Sequence, residues 1–246
     1  MDFGSYVKAQ EAIYLQALGL GSQPLRPLSE EFQFQAKKIL IVAPHPDDEC
    51  LMSGFALRAK AEFHSEISVL PFSYGSNRDR QAERKSELLH ALQVLGFSLL
   101  DSRSAGFDEL RAQDVVKALQ EYAPDLIIFP HLKDGHPTHM KCSEIVDSSA
   151  RLWAKTNGRT LHLLETEYWQ AMENPNLMIP LSLKEVAQMG SALMEHRGEV
   201  SRNPYHLTLP AWLMDCKRRG SERVMGLGSK NEASIVFAQL YRYLKL

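Results

Sequence analysis

The chain has few cysteines, almost no net charge and no long apolar run, and each shortage removes a class of function. Cys50, Cys142 and Cys216 are an odd count without close spacing, which argues against a disulfide framework and for free thiols in a reducing compartment. Lys and Arg number 28 against 30 Asp and Glu, a formal net charge of −2, so no field draws in nucleic acid or an anionic membrane. No apolar stretch approaches membrane-spanning length, and Met1 to Lys8 has no basic region leading into an apolar one. A cytoplasmic protein with a neutral or small polar substrate is the expectation. Internal repeats and low-complexity segments are absent as well.

At 246 residues and 44% hydrophobic, the chain is long enough to bury one large core. We expect a single domain over 1–246: an N-terminal helix and connector in 1–37, a motif-bearing α/β core in 38–152, and a part in 153–246 that completes the fold. Its centre is the run Lys38-Ile39-Leu40-Ile41-Val42-Ala43-Pro44-His45-Pro46-Asp47-Asp48-Glu49. Four apolar residues bounded by Lys38 and the prolines suit a parallel strand buried on both faces. The polar cluster then falls at the strand's carboxyl end, where open α/β sheets keep their ligand crevice. A Gly-rich phosphate loop is missing from this first βα turn, which disfavours a dinucleotide enzyme.

Further strands are expected within 66–74, where a loop follows the strand, and over 97–100 and 125–131, alternating with helices over 6–18, 49–63, 78–95 and 109–122, the last with Asp108 as its N-cap. The alternation predicts a Rossmann-like, doubly wound, mainly parallel sheet in three layers, with the fourth strand beside the first. That order brings His131-Leu132-Lys133-Asp134-Gly135-His136-Pro137-Thr138-His139 to the same crevice as His45. Pro137 suits the first position of a helix running to about Leu152, with His136 as its cap residue. Beyond lie a fifth strand in 161–169, a helix over 182–196 started by a Ser182/Glu185 capping box, an irregular stretch over 197–210 and a final helix from Ala233 to Tyr243.

A hydrolytic zinc site needs three His or carboxylate ligands and an open position for water, and His45, Asp48 and His139 can supply the three. Asp47 stays free as general base, and His136 can stabilise a tetrahedral oxyanion. The acids alone would equally suit a helix N-terminus, but that reading leaves His45 and the matching His-rich loop unexplained.

The run Pro44 to Glu49 resembles the signature of the PIG-L/LmbE-like zinc deacetylases, and His136-Pro137-Thr138-His139 is similar to their second motif. Arg84-Lys85-Ser86-Glu87 followed by Leu95-Gly96 looks like their Arg-x-x-Glu helix. The resemblance implies removal of an N-acetyl group from an N-acetylglucosamine-type sugar or glycoconjugate on a Rossmann-like sheet. It also implies His45, Asp48 and His139 as Zn2+ ligands, Asp47 as base, His136 as the acid or oxyanion group, and Arg84 and Asp108 as substrate contacts. Two positions depart from the pattern. Thr138 stands where the family usually has Asp, which would favour an imidazolium at His136; Asp134 is the nearby acid that can take over. His196-Arg197-Gly198-Glu199 replaces the family's His-x-Ser-Gln. A zinc amidase for another acyl group and a metal- or sugar-binding homologue without turnover are the rival readings. Iron in place of zinc and a homo-oligomer both stay open.

Overall fold

A computed structural model describes residues 2–21, 23–101, 109–228 and 234–246. In chain order the elements are α1 (Phe3–Ala17), α2 (Leu28–Glu31), β1 (Lys38–Ala43), α3 (Asp48–Leu51), α4 (Gly54–Phe63), β2 (Glu66–Pro71), α5 (Gln81–Leu95), β3 (Ser98–Leu99), α6 (Ala112–Tyr122), β4 (Leu126–Pro130) and α7 (Pro137–Asn157). Then follow β5 (His162–Thr166), β6 (Leu177–Leu181), α8 (Leu183–Leu193), α9 (Arg197–Arg202), α10 (Leu209–Arg223) and β7 (Phe237–Lys245). Among the described residues the strands form one seven-stranded sheet of order β3-β2-β1-β4-β5-β7-β6. The architecture is the expected mainly parallel α/β sheet, with only β7 antiparallel to its neighbours β5 and β6.

The alternation of β1 builds two cores. Ile39, Ile41 and Ala43 join Leu88 and Leu92 of α5 and Val186 and Met189 of α8 on one face. Leu40 and Val42 meet Val115 and Leu119 of α6 and Val146 and Trp153 of α7 on the other. A strand covered by helices on both faces has no solvated side, which is why its sequence is continuously apolar. β2 and β4 flank β1 in parallel register, Ile39 opposite Ile67 and Leu126. The loops after β1 and β4 therefore open side by side at the carboxyl edge.

Several expectations needed correction. The stretch taken for a final helix is β7, inserted between β5 and β6; Phe237 to Tyr241 are all buried, and such an apolar run cannot be told from a helix by periodicity. The helix expected over 49–63 breaks at Met52–Ser53, where the Ser53 hydroxyl donates to the Cys50 carbonyl at 2.8 Å, a local bond that competes with the helix ladder. α6 begins at Ala112 with Arg111 as N-cap, whose N–H the Asp114 carboxylate accepts at 2.9 Å. Asp108, expected to cap that helix, lies outside the described residues. The 197–210 stretch contains α9 and a 3-10 turn at Tyr205–Leu207, and β6 and α10 were not anticipated. Among the described residues no helix is long and apolar enough to cross a membrane.

Candidate active site

β1 ends at Ala43, and the chain turns through Pro44 to Asp47 into α3. β4 ends at Pro130, and the following loop enters α7 at Pro137, with His136 as N-cap. The side-by-side strands bring the two histidine-bearing loops together. Asp48 Oδ2 lies 3.3 Å from His45 Nδ1 and 3.2 Å from His139 Nε2, and it accepts the His45 backbone N–H at 2.9 Å. His136 completes the group: one ring nitrogen from each of His45, His136 and His139 falls within 4.8 Å of the others.

The sequence offered Asp134 as an orienting acid for His136; the structure gives it to His139 instead. Asp134 Oδ1 sits 2.8 Å from His139 Nδ1, and Asp134 is 1% exposed. Its other oxygen accepts the Tyr168 N–H at 3.2 Å. The reason is helix geometry, since His139 lies in the first turn with Nδ1 turned back toward the loop that carries Asp134. His136 Nδ1 is buried without a hydrogen-bond partner, and the ring leans over Trp169, centroids 6.1 Å apart.

Asp47 has a backbone that L-residues avoid, φ 121° and ψ −34°. Two contacts hold it there. Its N–H donates to Glu49 Oε2 at 2.8 Å, and Arg84 Nη2 donates to the Pro46 carbonyl at 2.9 Å. Glu49 Oε1 is 2.6 Å from His196 Nε2, with neither side chain exposed. The altered His-Arg-Gly-Glu motif thus supplies a pillar under the Asp47 loop. The Tyr205 hydroxyl donates to Asp47 Oδ2 at 2.6 Å, which turns that carboxylate toward the cleft.

The electrostatics separate the two neighbouring acids. Burial would raise Asp48, but His139 and His45 outweigh it and hold the carboxyl well below the usual range. Burial and the Asp48 charge push Asp47 up to about 7, with His196, Arg84 and the Tyr205 hydroxyl drawing it down. His139, which burial alone would lower, is raised to about 10 by Asp48 and Asp134. His136 moves the other way, lowered by burial and then by His139 and His45. An acid held ionised beside one poised near neutrality is the pattern of a divided catalytic pair.

The donor chemistry suits a divalent metal. Two imidazoles and a carboxylate converge on one point, as zinc sites require. His139 is backed by a second carboxylate, the arrangement that fixes a ligating imidazole's tautomer. The protons His139 would otherwise carry compete with a metal for the same nitrogens.

These groups open onto a cleft of about 370 Å3, within the usual range for small-molecule sites. Thr138, Tyr168, Trp169 and Arg84 line it, and Trp169 is 58% exposed at its rim. Arg84, expected to touch substrate, does line the cleft, but two of its nitrogens are occupied by the Tyr74 and Pro46 carbonyls. Glu87 accepts the Gly198 N–H at 2.8 Å and so anchors α9. His131 stands outside the cleft, its Nε2 2.8 Å from the Gln170 carbonyl oxygen. Sequence reasoning missed Tyr205, which no motif marks, and the pairing of Glu49 with His196, although both residues stood in recognised patterns.

Comparison with known proteins gives a family match and a shared fold. Residues 40–150 match the family model PIG-L, described as GlcNAc-PI de-N-acetylase. Among solved structures, N,N'-diacetylchitobiose deacetylase from Pyrococcus horikoshii superposes with a TM-score of 0.61 at 16% identity, covering 96% of this chain and 92% of that one. The A40926 pseudoaglycone deacetylase Dbv21 gives 0.58 at 17%, covering 85% and 97%. GalB, the 4-carboxy-2-hydroxymuconate hydratase from Pseudomonas putida KT2440, gives 0.63 at 16%, covering 85% and 96%. At these identities the likeness is one of fold, and it extends to a protein with a different reaction. The family match spans the strand and both loops that carry the convergent His and Asp side chains, and over these residues the chain is similar to the PIG-L family.

Proposed function

We propose that the protein is a metal-dependent amide hydrolase that removes an N-acetyl group from an N-acetylglucosamine-type sugar or glycoconjugate. The observation that carries this reading is Asp48 Oδ2 between His45 Nδ1 and His139 Nε2 at 3.3 and 3.2 Å, with the poised Asp47 beside it on the same cleft. His45, Asp48 and His139 would hold the ion. When bound, zinc or a similar divalent metal acidifies water and polarises the acyl carbonyl.

Asp47 takes one proton from the attacking water as the C–O bond forms at the acetyl carbon, then delivers it to the sugar nitrogen as the C–N bond breaks. Acetic acid and the free amine leave, the second water proton passing from the acid to the amine to give acetate and ammonium, and Asp47 ends as it began. The Tyr205 hydroxyl bonds one Asp47 oxygen and leaves the other for the proton. His136 is kept neutral by its surroundings and acts on the oxyanion as an uncharged N–H donor, a role that does not need the acid missing at Thr138. Arg84 holds the Asp47 loop and lines the substrate cleft. The deacetylases of the same fold support the acyl chemistry; the hydratase of the same fold is why it rests on side chains.

The test is metal content of the purified protein together with acetate and amine release from N-acetylglucosamine and its glycosides. Stoichiometric metal with sugar-dependent release supports the reading. Release only from other N-acyl compounds makes the protein a different amidase, and metal with water addition to an unsaturated acid instead would overturn hydrolysis altogether.

A further inference from the structure

Two edges of a metal-sized tetrahedron are already set in the cleft. Ligands at about 2.0–2.1 Å around a four-coordinate zinc ion stand about 3.3 Å from one another. Asp48 Oδ2 lies 3.3 Å from His45 Nδ1 and 3.2 Å from His139 Nε2, so both pairs already keep that spacing. The fourth corner decides the character of such a site: water or substrate there makes it catalytic, and a further side chain makes it closed.

His136 stands beside that corner. Its ring centroid lies 5.2 Å from that of His45 and 4.9 Å from that of His139, and one ring nitrogen from each of the three falls within 4.8 Å of the others. His136 and His139 are three residues apart at the start of α7, a spacing that sends both side chains to the same side of a helix. Closing the remaining gap to about 3.3 Å asks for side-chain torsion and no new backbone path.

The surroundings of the ring favour ligation. Asp48 approaches both His45 and His139, and Asp134 backs His139 at 2.8 Å, whereas His136 Nδ1 is buried without a hydrogen-bond partner. An imidazole that served only as an N–H donor would have its second nitrogen held by a partner that fixes the tautomer. Nδ1 has none, and a metal ion is the partner that the neighbouring His and Asp side chains bring within reach.

We propose that in the substrate-free protein His136 is a fourth metal ligand through Nδ1, so that His45, Asp48, His136 and His139 close the resting site and the substrate's acyl group opens it by taking the place of His136. The ligation rests on the metal site of the deacetylase reading but not on its turnover. Released, the ring keeps its proton on Nε2 and, with Nδ1 untethered, turns that N–H toward the oxyanion. The closed site keeps water from the reacting position until a sugar arrives. Trp169, 58% exposed at the rim with its ring 6.1 Å from that of His136, is the side chain such a sugar meets on its way in.

Ligand count and the sign of one binding change test the proposal. X-ray absorption at the zinc edge of the substrate-free wild type should fit three imidazoles and one carboxylate oxygen, and two imidazoles in His136→Ala. Zinc affinity, read by competition with a chromophoric chelator, should fall at least about tenfold in that variant. Acetate is then titrated into the cobalt(II)-loaded proteins, whose visible band reports coordination geometry. A ligating His136 competes with acetate, so acetate should bind several-fold more tightly in His136→Ala; a His136 that only donates to a bound oxygen would make it bind more weakly. His136→Gln gives the same comparison if the alanine variant does not fold, and the wild-type absorption spectrum decides the ligand count without any variant. Two imidazoles in the wild type, or weaker acetate binding in the variant, would overturn the closed site while leaving the deacetylase reading intact. Three imidazoles in a protein that releases no acetate would uphold the closed site and overturn that reading, and a protein that takes up no zinc would overturn both.

Discussion

Replacing His196 with Leu should destabilise the protein severely although the residue touches neither cleft nor metal ligand. His196 and Glu49 are fully buried, and their side chains meet at 2.6 Å. Removing one partner strands the other as an unpaired group in the interior, which typically costs about 3–5 kcal/mol. For a chain of this size that corresponds to a fall in Tm of about 6–20 °C. Thermal and denaturant unfolding with chelator present would read it, and Glu49→Gln should fall in the same range. The double variant should be less damaging than the sum of the two, by more than about 1 kcal/mol, because both lose one interaction. The pH dependence has a definite sign. Burial acts to lower His196, but Glu49, then Asp47 and Glu87, outweigh it and raise it. A histidine raised above its unfolded value of about 6.5 stabilises fully below that value and loses the contribution as pH climbs through its folded one. The gap between wild type and His196→Leu should be widest below about pH 6.5 and shrink as the pH rises above it. Additive single and double variants, or a gap that widens with pH, would refute the paired imidazolium.

Asp134→Asn should weaken zinc binding by about 10–100-fold, measured by competition with a chromophoric chelator, because it removes the carboxylate behind His139; unchanged affinity would mean that another group sets that imidazole's tautomer. Asp47→Ala should retain metal while turnover falls by about 10^2–10^4-fold, whereas His139→Ala should lose metal as well, and equal metal loss in both would refute the division between base and ligand. Trp169→Ala should raise KM for sugars with little change in kcat, since an exposed ring at the rim offers uniform binding; a kcat effect of the same size would place Trp169 in contact with the reacting end.

What the sequence made legible follows from which forces are local. The apolar run of β1, the Gly96 stop of α5, now seen at φ 68°, and the Ser182/Glu185 capping box of α8 are short-range signals. Because strand order was inferred from βα alternation, the meeting of His45 with His139 could be foreseen across more than ninety residues. β7 could not, because its burial on both faces erases the alternation that separates strand from helix. Asp134 was offered to the wrong histidine, since nearness in sequence does not say toward which ring a loop carboxylate turns. Tyr205 left no trace at all, and Glu199 showed only as the last residue of the altered His-Arg-Gly-Glu motif: each acquires its place only once α9 and the turn after it close over the cleft.

The backbone of Asp47 has a practical consequence for anyone who would engineer this protein. At φ 121° a glycine would sit without the steric penalty of roughly 1–3 kcal/mol that a side chain incurs in sparsely populated regions. Asp47→Gly is therefore expected to make a sturdier fold that has lost its base. A screen that rewards only heat resistance or soluble yield would enrich that change, steering the population away from catalysis while every measure of folding improved.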